Sequence, residues 1–144
     1  MKGERIFWMV AAGLLLATPV WAAPYTASQG AVTDQHTGLD WQQQDDGGKR
    51  TWEEGIAYCE GLSLANQTDW RLPNIKELES ITDDNRLNPA IDPIFTGTSA
   101  SNYWSSTTYA RFSDSAWYVD FSDSYVSVYY KSSHYYVRCV RGGQ

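Results

Sequence analysis

Few side chains in this 144-residue sequence could make or break bonds, and the first of them are its two cysteines, Cys59 and Cys139. Thiols placed like these serve as a disulfide, as metal ligands or as a nucleophile. No Cys-x-x-Cys pair occurs, and the two histidines, His36 and His134, stand at no ligand spacing from either cysteine. Catalytic patterns such as Gly-x-Ser-x-Gly, His-Glu-x-x-His and the phosphate loop are also missing. Asp83-Asp84-Asn85, with Asn88 and Asp92, offers oxygens that suit calcium, but without EF-hand spacing; acidic loops of this kind are usually just solvated. Asp69-Trp70-Arg71 sets a carboxylate and a guanidinium on either side of an indole. A ligand site is one reading of that trio. The favoured one is structural, with Trp70 and Leu72 buried and Arg71 or Asp69 bonded to backbone that long loops leave unpaired. Arg138 and Arg141 read as anchors of a last strand in the same way, and Trp104-Ser105-Ser106 reads as closing a turn of the core.

The remaining chemistry is aromatic and hydroxylic. Aromatic residues make up 15% of the chain, as seven Trp and ten Tyr against four Phe. Trp and Tyr carry an N–H or O–H that needs a partner, so they favour surfaces that bind. Residues 101–137 hold ten Ser and eight Tyr with a single lysine, Lys131, and no Glu, Gln, Leu, Ile or Met. A sheet built only for stability would alternate Ile or Leu with Lys, Glu or Thr. Tyr and Ser together are the composition of antibody-type paratopes: rigid amphipathic area beside small adaptable hydroxyls. The competing explanation is a sheet that happens to be aromatic, because Tyr has good strand propensity. The candidate contact residues are Arg111, Phe112, Ser113, Asp114, Tyr118, Asp123, Tyr125, Ser127, Tyr129, Tyr130, Ser133, His134 and Tyr135. All but Tyr118 lie in the runs 110–115, 122–125, 127–130 and 132–135, which contain only residues reachable by changing adenines in an Asn codon, a set that lacks Lys, Glu, Gln, Met and Trp. Trp104, Trp117 and Lys131 fall outside that set and read as fixed framework.

The length suits one domain with a real core. Hydrophobic residues at 42% and charged residues at 19% exclude a disordered tail. A net charge of −6 argues against nucleic acid as the partner. Lys2 and Arg5 precede an apolar run from Ile6 to Val20, and Val20-Trp21-Ala22 offers small or medium residues at a cleavage site. Residues 1–22 are therefore expected to be a signal peptide, and 23–144 a single exported domain, periplasmic, secreted or at the cell surface. The apolar run is short for a ~30 Å hydrocarbon core, which disfavours an uncleaved anchor. In an oxidising compartment Cys59 and Cys139 most simply form a disulfide, with a metal or thiol site as the alternative.

The elements that must position these groups follow from periodicity. Ala31-Val32 and Leu39 to Gln42 around Gly38 form a hairpin signal. Thr51 caps a helix over about 52–63, with Cys59 on its buried side. Pro73-Asn74 opens a second helix that ends near Asp83-Asp84-Asn85, and 88–101 is a loop. Trp117, Val119 and Phe121 alternate with polar neighbours as a half-buried strand; 125–130 returns antiparallel, and 135–141 is a last strand. Two helices early and an antiparallel sheet in the C-terminal half make an α+β domain.

Motifs spread over this plan carry a resemblance. Thr37-Gly38-Leu39-Asp40-Trp41-Gln42, Thr51-Trp52-Glu53-Glu54 with Tyr58-Cys59, Asp69-Trp70-Arg71-Leu72-Pro73-Asn74, Tyr103-Trp104-Ser105-Ser106 and Val137-Arg138-Cys139-Val140-Arg141 occur in that order. The chain resembles the DUF1566 family, also described as the C-terminal domain of a Legionella collagen-like adhesin. The resemblance implies a C-type-lectin-like fold with a Cys59–Cys139 disulfide between first helix and last strand. It also implies kinship with variable proteins of diversity-generating retroelements, the variable region here being about 103–141. Trp41, Trp52, Asp69, Trp70, Arg71, Trp104, Trp117 and Arg138 would be structural. Ser124 departs from the family, which commonly has a turn Gly there. The expected function is binding of a macromolecular ligand, protein or glycan at a cell or phage surface, with no cofactor, metal, nucleic acid, catalysis or stable membrane span after cleavage. The alternatives are a fixed structural or adhesive surface domain and a relative of formylglycine-generating oxidases, which need reactive cysteines.

Overall fold

The structure is a computed structural model that describes residues 23–143; the expected leader, 1–22, lies outside the described residues. Strands β1 (Tyr25–Ser28), β2 (Ala31–Asp34) and β3 (Asp40–Gln42) come first. Helices α1 (Trp52–Glu60) and α2 (Ile75–Ser80) follow. The chain ends in β4 (Asn102–Thr108), β5 (Ser115–Asp120), β6 (Tyr125–Tyr130) and the two-residue β7 (Val140–Arg141). The architecture is α+β, with all strand ladders antiparallel.

Both helices start on reciprocal caps. Thr51 accepts from the Glu54 N–H while the Glu54 carboxylate accepts from the Thr51 N–H, and Asn74 and Glu77 do the same for α2. Both helices stop earlier than the sequence predicts. After α1, Gly61 takes over the capping, its N–H donating to the Ala57 carbonyl. At α2 the hydroxyls of Ser80 and Thr82 donate to the carbonyls of Glu77 and Glu79, which competes with further helix.

Two sheets result, one of order β1-β2-β3-β7 and one of order β4-β5-β6. The strand β1, with three of its four residues exposed, has no apolar alternation by which the sequence could mark it. Segment 135–139 does not form the regular strand expected. It bridges Tyr135 to Arg50 and Tyr136 to Tyr103, and only then enters the first sheet as β7. A segment that serves both halves cannot keep one ladder. Trp104-Ser105-Ser106 is not a turn but the middle of β4, with Trp104 and Ser105 buried.

One core cluster packs Val32, Trp41, Leu78, Ile81, Tyr103 and Phe121 between the sheets and α2. A second, under α1, holds Cys59, Trp70, Leu72, Trp104, Val137 and Cys139. Cys59 and Cys139 are joined as a disulfide, tying α1 to the segment before β7. Gly55 is what lets α1 approach: a Cβ there would lie 2.8 Å from Val137 Cγ1. The strand β5 is not half-buried in the simple sense expected, because both of its faces carry partial cover. Val119 and Phe121 are buried as predicted, yet Trp117 on their side is only half-buried against Tyr109. Tyr118 on the other face is half-buried too, packed on Trp104 and Tyr135.

Candidate binding surface

The register of the β5–β6 hairpin decides which side chains share a face. Ala116 pairs with Tyr129, Tyr118 with Ser127 and Asp120 with Tyr125, so these project to one side of the sheet. Ser115 with Tyr130 and Trp117 with Val128 project to the other. On the first side the Tyr135 ring lies 5.1 Å from Tyr118, 6.1 Å from Tyr129 and 4.5 Å from buried Trp104. Where β5 begins and β6 ends, Phe112, Asp114, Ser115, Val128, Tyr129 and Tyr130 line a groove of about 300 Å³.

None of the thirteen predicted contact residues is buried. Phe112 (56% exposed), Tyr125 (59%), Tyr129 (50%) and Tyr130 (57%) are four of the five exposed large apolar side chains among the described residues, the fifth being Leu87. Arg111, Ser113, Asp114, Asp123 and His134 are exposed, while Tyr118, Ser127, Ser133 and Tyr135 are half-buried. The set is not one compact site. Asp123 and Tyr125 sit at the hairpin tip, where the Tyr125 N–H donates to Asp123 at 3.1 Å. Tyr129 lies four residues along β6, about 13 Å away at the strand rise. The Arg111 guanidinium stacks 5.7 Å from the Phe112 ring, and the Ser133 N–H closes a turn on the Tyr130 carbonyl.

The residues read as framework are held from below. The Lys131 ammonium donates to Thr108 at 2.9 Å and rests 3.9 Å over the Trp52 ring. The indole N–H groups of Trp52, Trp70 and Trp104 donate to the carbonyls of Ser105, Leu64 with Gln67, and Arg50. Trp41 Nε1 is buried with no partner among the described residues. Asp69 and Arg71 are engaged within the chain. Asp69 accepts from Arg141 at 2.7 Å, and Arg71 grips Glu77 through two bonds while donating to the Gly142 carbonyl.

Arg138 is the centre of the frame. Fully buried, it donates to the carbonyls of Gln42 and Gln43, both at 2.6 Å, to the Thr98 hydroxyl and to the Thr96 carbonyl. Its charge faces Asp45, which also accepts the Tyr103 hydroxyl. Burial is the main force lowering the Arg138 pKa, against the pull of Asp45, and burial together with Asp45 raises that of Tyr103. Asp45 is not among the residues that the sequence singles out. The only available signal was that a buried Arg138 needs an acid, and nothing in the pattern says which.

A second groove, of about 720 Å³, lies between Leu39, Ile56, Glu60, Arg71 and Glu77 and shares no residue with the Tyr/Ser surface. Among the described residues no cysteine is free and no group of acidic, histidine or cysteine side chains converges as a metal site would. No described helix is long and apolar enough to cross a membrane.

The family model of the Lcl C-terminal domain matches residues 30–141. The chain belongs to this family. The matched span of the Lcl C-terminal domain runs from the turn before β2 to the end of β7, so β1 lies outside it and the whole Tyr/Ser surface lies inside. Among curated proteins the chain finds no match.

Proposed function

We propose that this Lcl C-terminal domain is an exported binding module, without catalytic activity, that presents the Tyr/Ser surface of β5, β6 and their loops to a macromolecular ligand. One observation carries the reading: Tyr125, Tyr129, Tyr130 and Phe112 stand half or more in water while Trp41, Tyr103 and Trp104 are fully buried. Burial of Tyr118, Tyr125, Tyr129 and Tyr130 in the core would have removed it. Large aromatic side chains held out from a rigid frame supply contact area at little entropy cost. The engagement of both cysteines with each other speaks against an oxidase that needs reactive thiols. The lectin-like resemblance and the adenine-reachable residue types of the runs within 103–141 extend the proposal to a surface diversified by a retroelement.

Labelled protein incubated with a panel of intact bacterial cells tests the binding. The triple change Tyr125→Ser, Tyr129→Ser, Tyr130→Ser is expected to abolish cell binding while the protein stays folded, with a cooperative thermal transition lowered by no more than these exposed side chains cost. Equal binding by parent and triple variant would sink the reading. Diversification is tested in the flanking DNA, which should hold a near-copy of the 103–141 codons beside a reverse transcriptase gene.

A further inference from the structure

The β4-β5-β6 sheet ends on an open edge. The Lys131 N–H donates to the Asp114 carbonyl at 2.8 Å, in the register that pairs Ser115 with Tyr130. Antiparallel ladders alternate, so odd-numbered residues of β6 bond to β5 while Val126, Val128 and Tyr130 aim their N–H and C=O groups outward. Among the described residues one backbone group reaches that outer side, the Ser133 N–H on the Tyr130 carbonyl. The opposite edge is covered, since the β4 N–H groups of Trp104 and Ser106 donate to the carbonyls of Tyr136 and Pro73.

Natural edge strands are blunted by charge, proline, a bulge or brevity. The sequence of β6, Tyr-Val-Ser-Val-Tyr-Tyr, has six residues and none of the other devices. Lys131 follows it, but its ammonium is drawn away to Thr108 and Trp52. Beside this edge lies the groove of Phe112, Asp114, Val128, Tyr129 and Tyr130, and its one charged group is the Asp114 carboxylate. An aromatic-lined groove with a single acid suits the stem and head of a Lys or Arg side chain.

We propose that β6 is a docking edge for an extended, basic segment of another protein, which adds as a fourth strand and sets a Lys or Arg side chain against Asp114. The inference rests on the binding reading above and narrows its ligand from protein or glycan to an extended polypeptide. A second copy of this chain fits less well. Two six-residue strands pairing alone bury far less than the ~1,200 Å² of stable interfaces, and each copy carries a net charge of −6. Main-chain bonds are indifferent to side-chain identity, while flanking side chains select the partner. An edge of this kind keeps its grip while the side chains around it are rewritten.

The test is a displayed library of random twelve-residue peptides selected on the full-length protein, with enriched peptides measured by fluorescence anisotropy. Enriched families are expected to alternate β-branched or aromatic residues with Lys or Arg. N-methylation of one alternating set of peptide amides should weaken binding at least tenfold and methylation of the other set should not. Val128→Pro, which removes an outward N–H at a position where edge strands tolerate proline, should weaken binding at least tenfold, and Asp114→Asn about fivefold. If Val128→Pro does not fold, the methylated peptides decide alone. No enriched family, equal effects of both methylation sets, acidic consensus peptides or self-association through β6 would each overturn the proposal. Loss of cell binding by the triple Tyr variant alongside such a failure would leave the binding reading standing and remove only the edge.

Discussion

Replacing Arg138 by Met should be the most damaging single change in this domain. The guanidinium is fully buried and satisfies the carbonyls of Gln42, Gln43 and Thr96 and the Thr98 hydroxyl, besides facing Asp45. Met fills similar space but donates nothing. Asp45, itself only 6% exposed, would keep the Tyr103 hydroxyl and the Gly47 N–H and lose its countercharge. Removing one partner of a buried charge pair costs about 3–5 kcal/mol, a large share of the ~5–15 kcal/mol that holds a domain folded. For a domain of this size the thermal midpoint should drop by roughly 10–20 °C. Urea unfolding followed by Trp fluorescence gives the free energy. Adding Asp45→Asn to Arg138→Met removes the orphaned charge and should recover about 1–2 kcal/mol, a coupling that a double-mutant cycle isolates. A loss below about 1 kcal/mol for Arg138→Met, or losses that simply add in the double variant, would refute the assignment of Arg138 as the electrostatic centre of the frame.

The Cys59–Cys139 bond closes a loop across 80 residues of sequence, so removing it with paired Ala substitutions should cost about 4–5 kcal/mol on the chain-entropy model, read as a fall in urea midpoint. For Glu77, burial alone would push its carboxyl up, but the Arg71 fork and the Asn74 N–H outweigh it and hold the pKa below the ordinary 4.5. A depressed folded pKa gives stability above the unfolded value that is lost as pH falls through the folded one. The stability gap between parent and Glu77→Gln should therefore be full at neutral pH and shrink as pH falls below 4.5; a gap independent of pH refutes this. Ser124, at φ 67° in the hairpin turn, has a buried hydroxyl without a partner among the described residues. Ser124→Gly should therefore stabilise by about 0.5–1 kcal/mol, visible as a raised thermal midpoint.

What the sequence made legible is what depends on local pattern. The cap at Thr51, the helix start at Pro73-Asn74, the hairpin around Gly38 and the span of β6 each rest on neighbours within a few residues. Trp104 and Arg138 were readable as structural because each stands in a motif with its neighbours. What stayed hidden depends on distant partners. Segment 135–139 looks like a strand by composition, but its backbone bonds go to Arg50, Asn102, Trp104 and Gln42, which lie far from it in sequence. Asp45 gains its importance from a cation 93 residues away. Likewise, alternation in β5 correctly buries Val119 and Phe121, yet cannot show that Tyr135 arrives from the chain end to cover the opposite face.

That cover divides the tyrosines that the sequence grouped together. Tyr129 stands half in water, Tyr135 lies beneath it, and Trp104 is buried under Tyr135, so three rings form a column from solvent to core. Tyr118 flanks the same column, edge-on to both Trp104 and Tyr135. Changing the outermost ring leaves Trp104 sealed. Changing the middle one opens it, and a large-to-small change with a cavity beneath costs about 2–4 kcal/mol. Tyr135→Ala should therefore destabilise by several times the ~0.5–1 kcal/mol expected for Tyr129→Ala, and Tyr118→Ala should fall between them. Equal losses at Tyr129 and Tyr135 would mean that the column does not insulate the core. A surface open to wide substitution needs such a layer, because side chains that both touch a ligand and seal a Trp are not free to vary. On this reasoning Tyr125, Tyr129 and Tyr130 are the positions free to carry specificity, and Tyr118 and Tyr135 are the floor on which they stand.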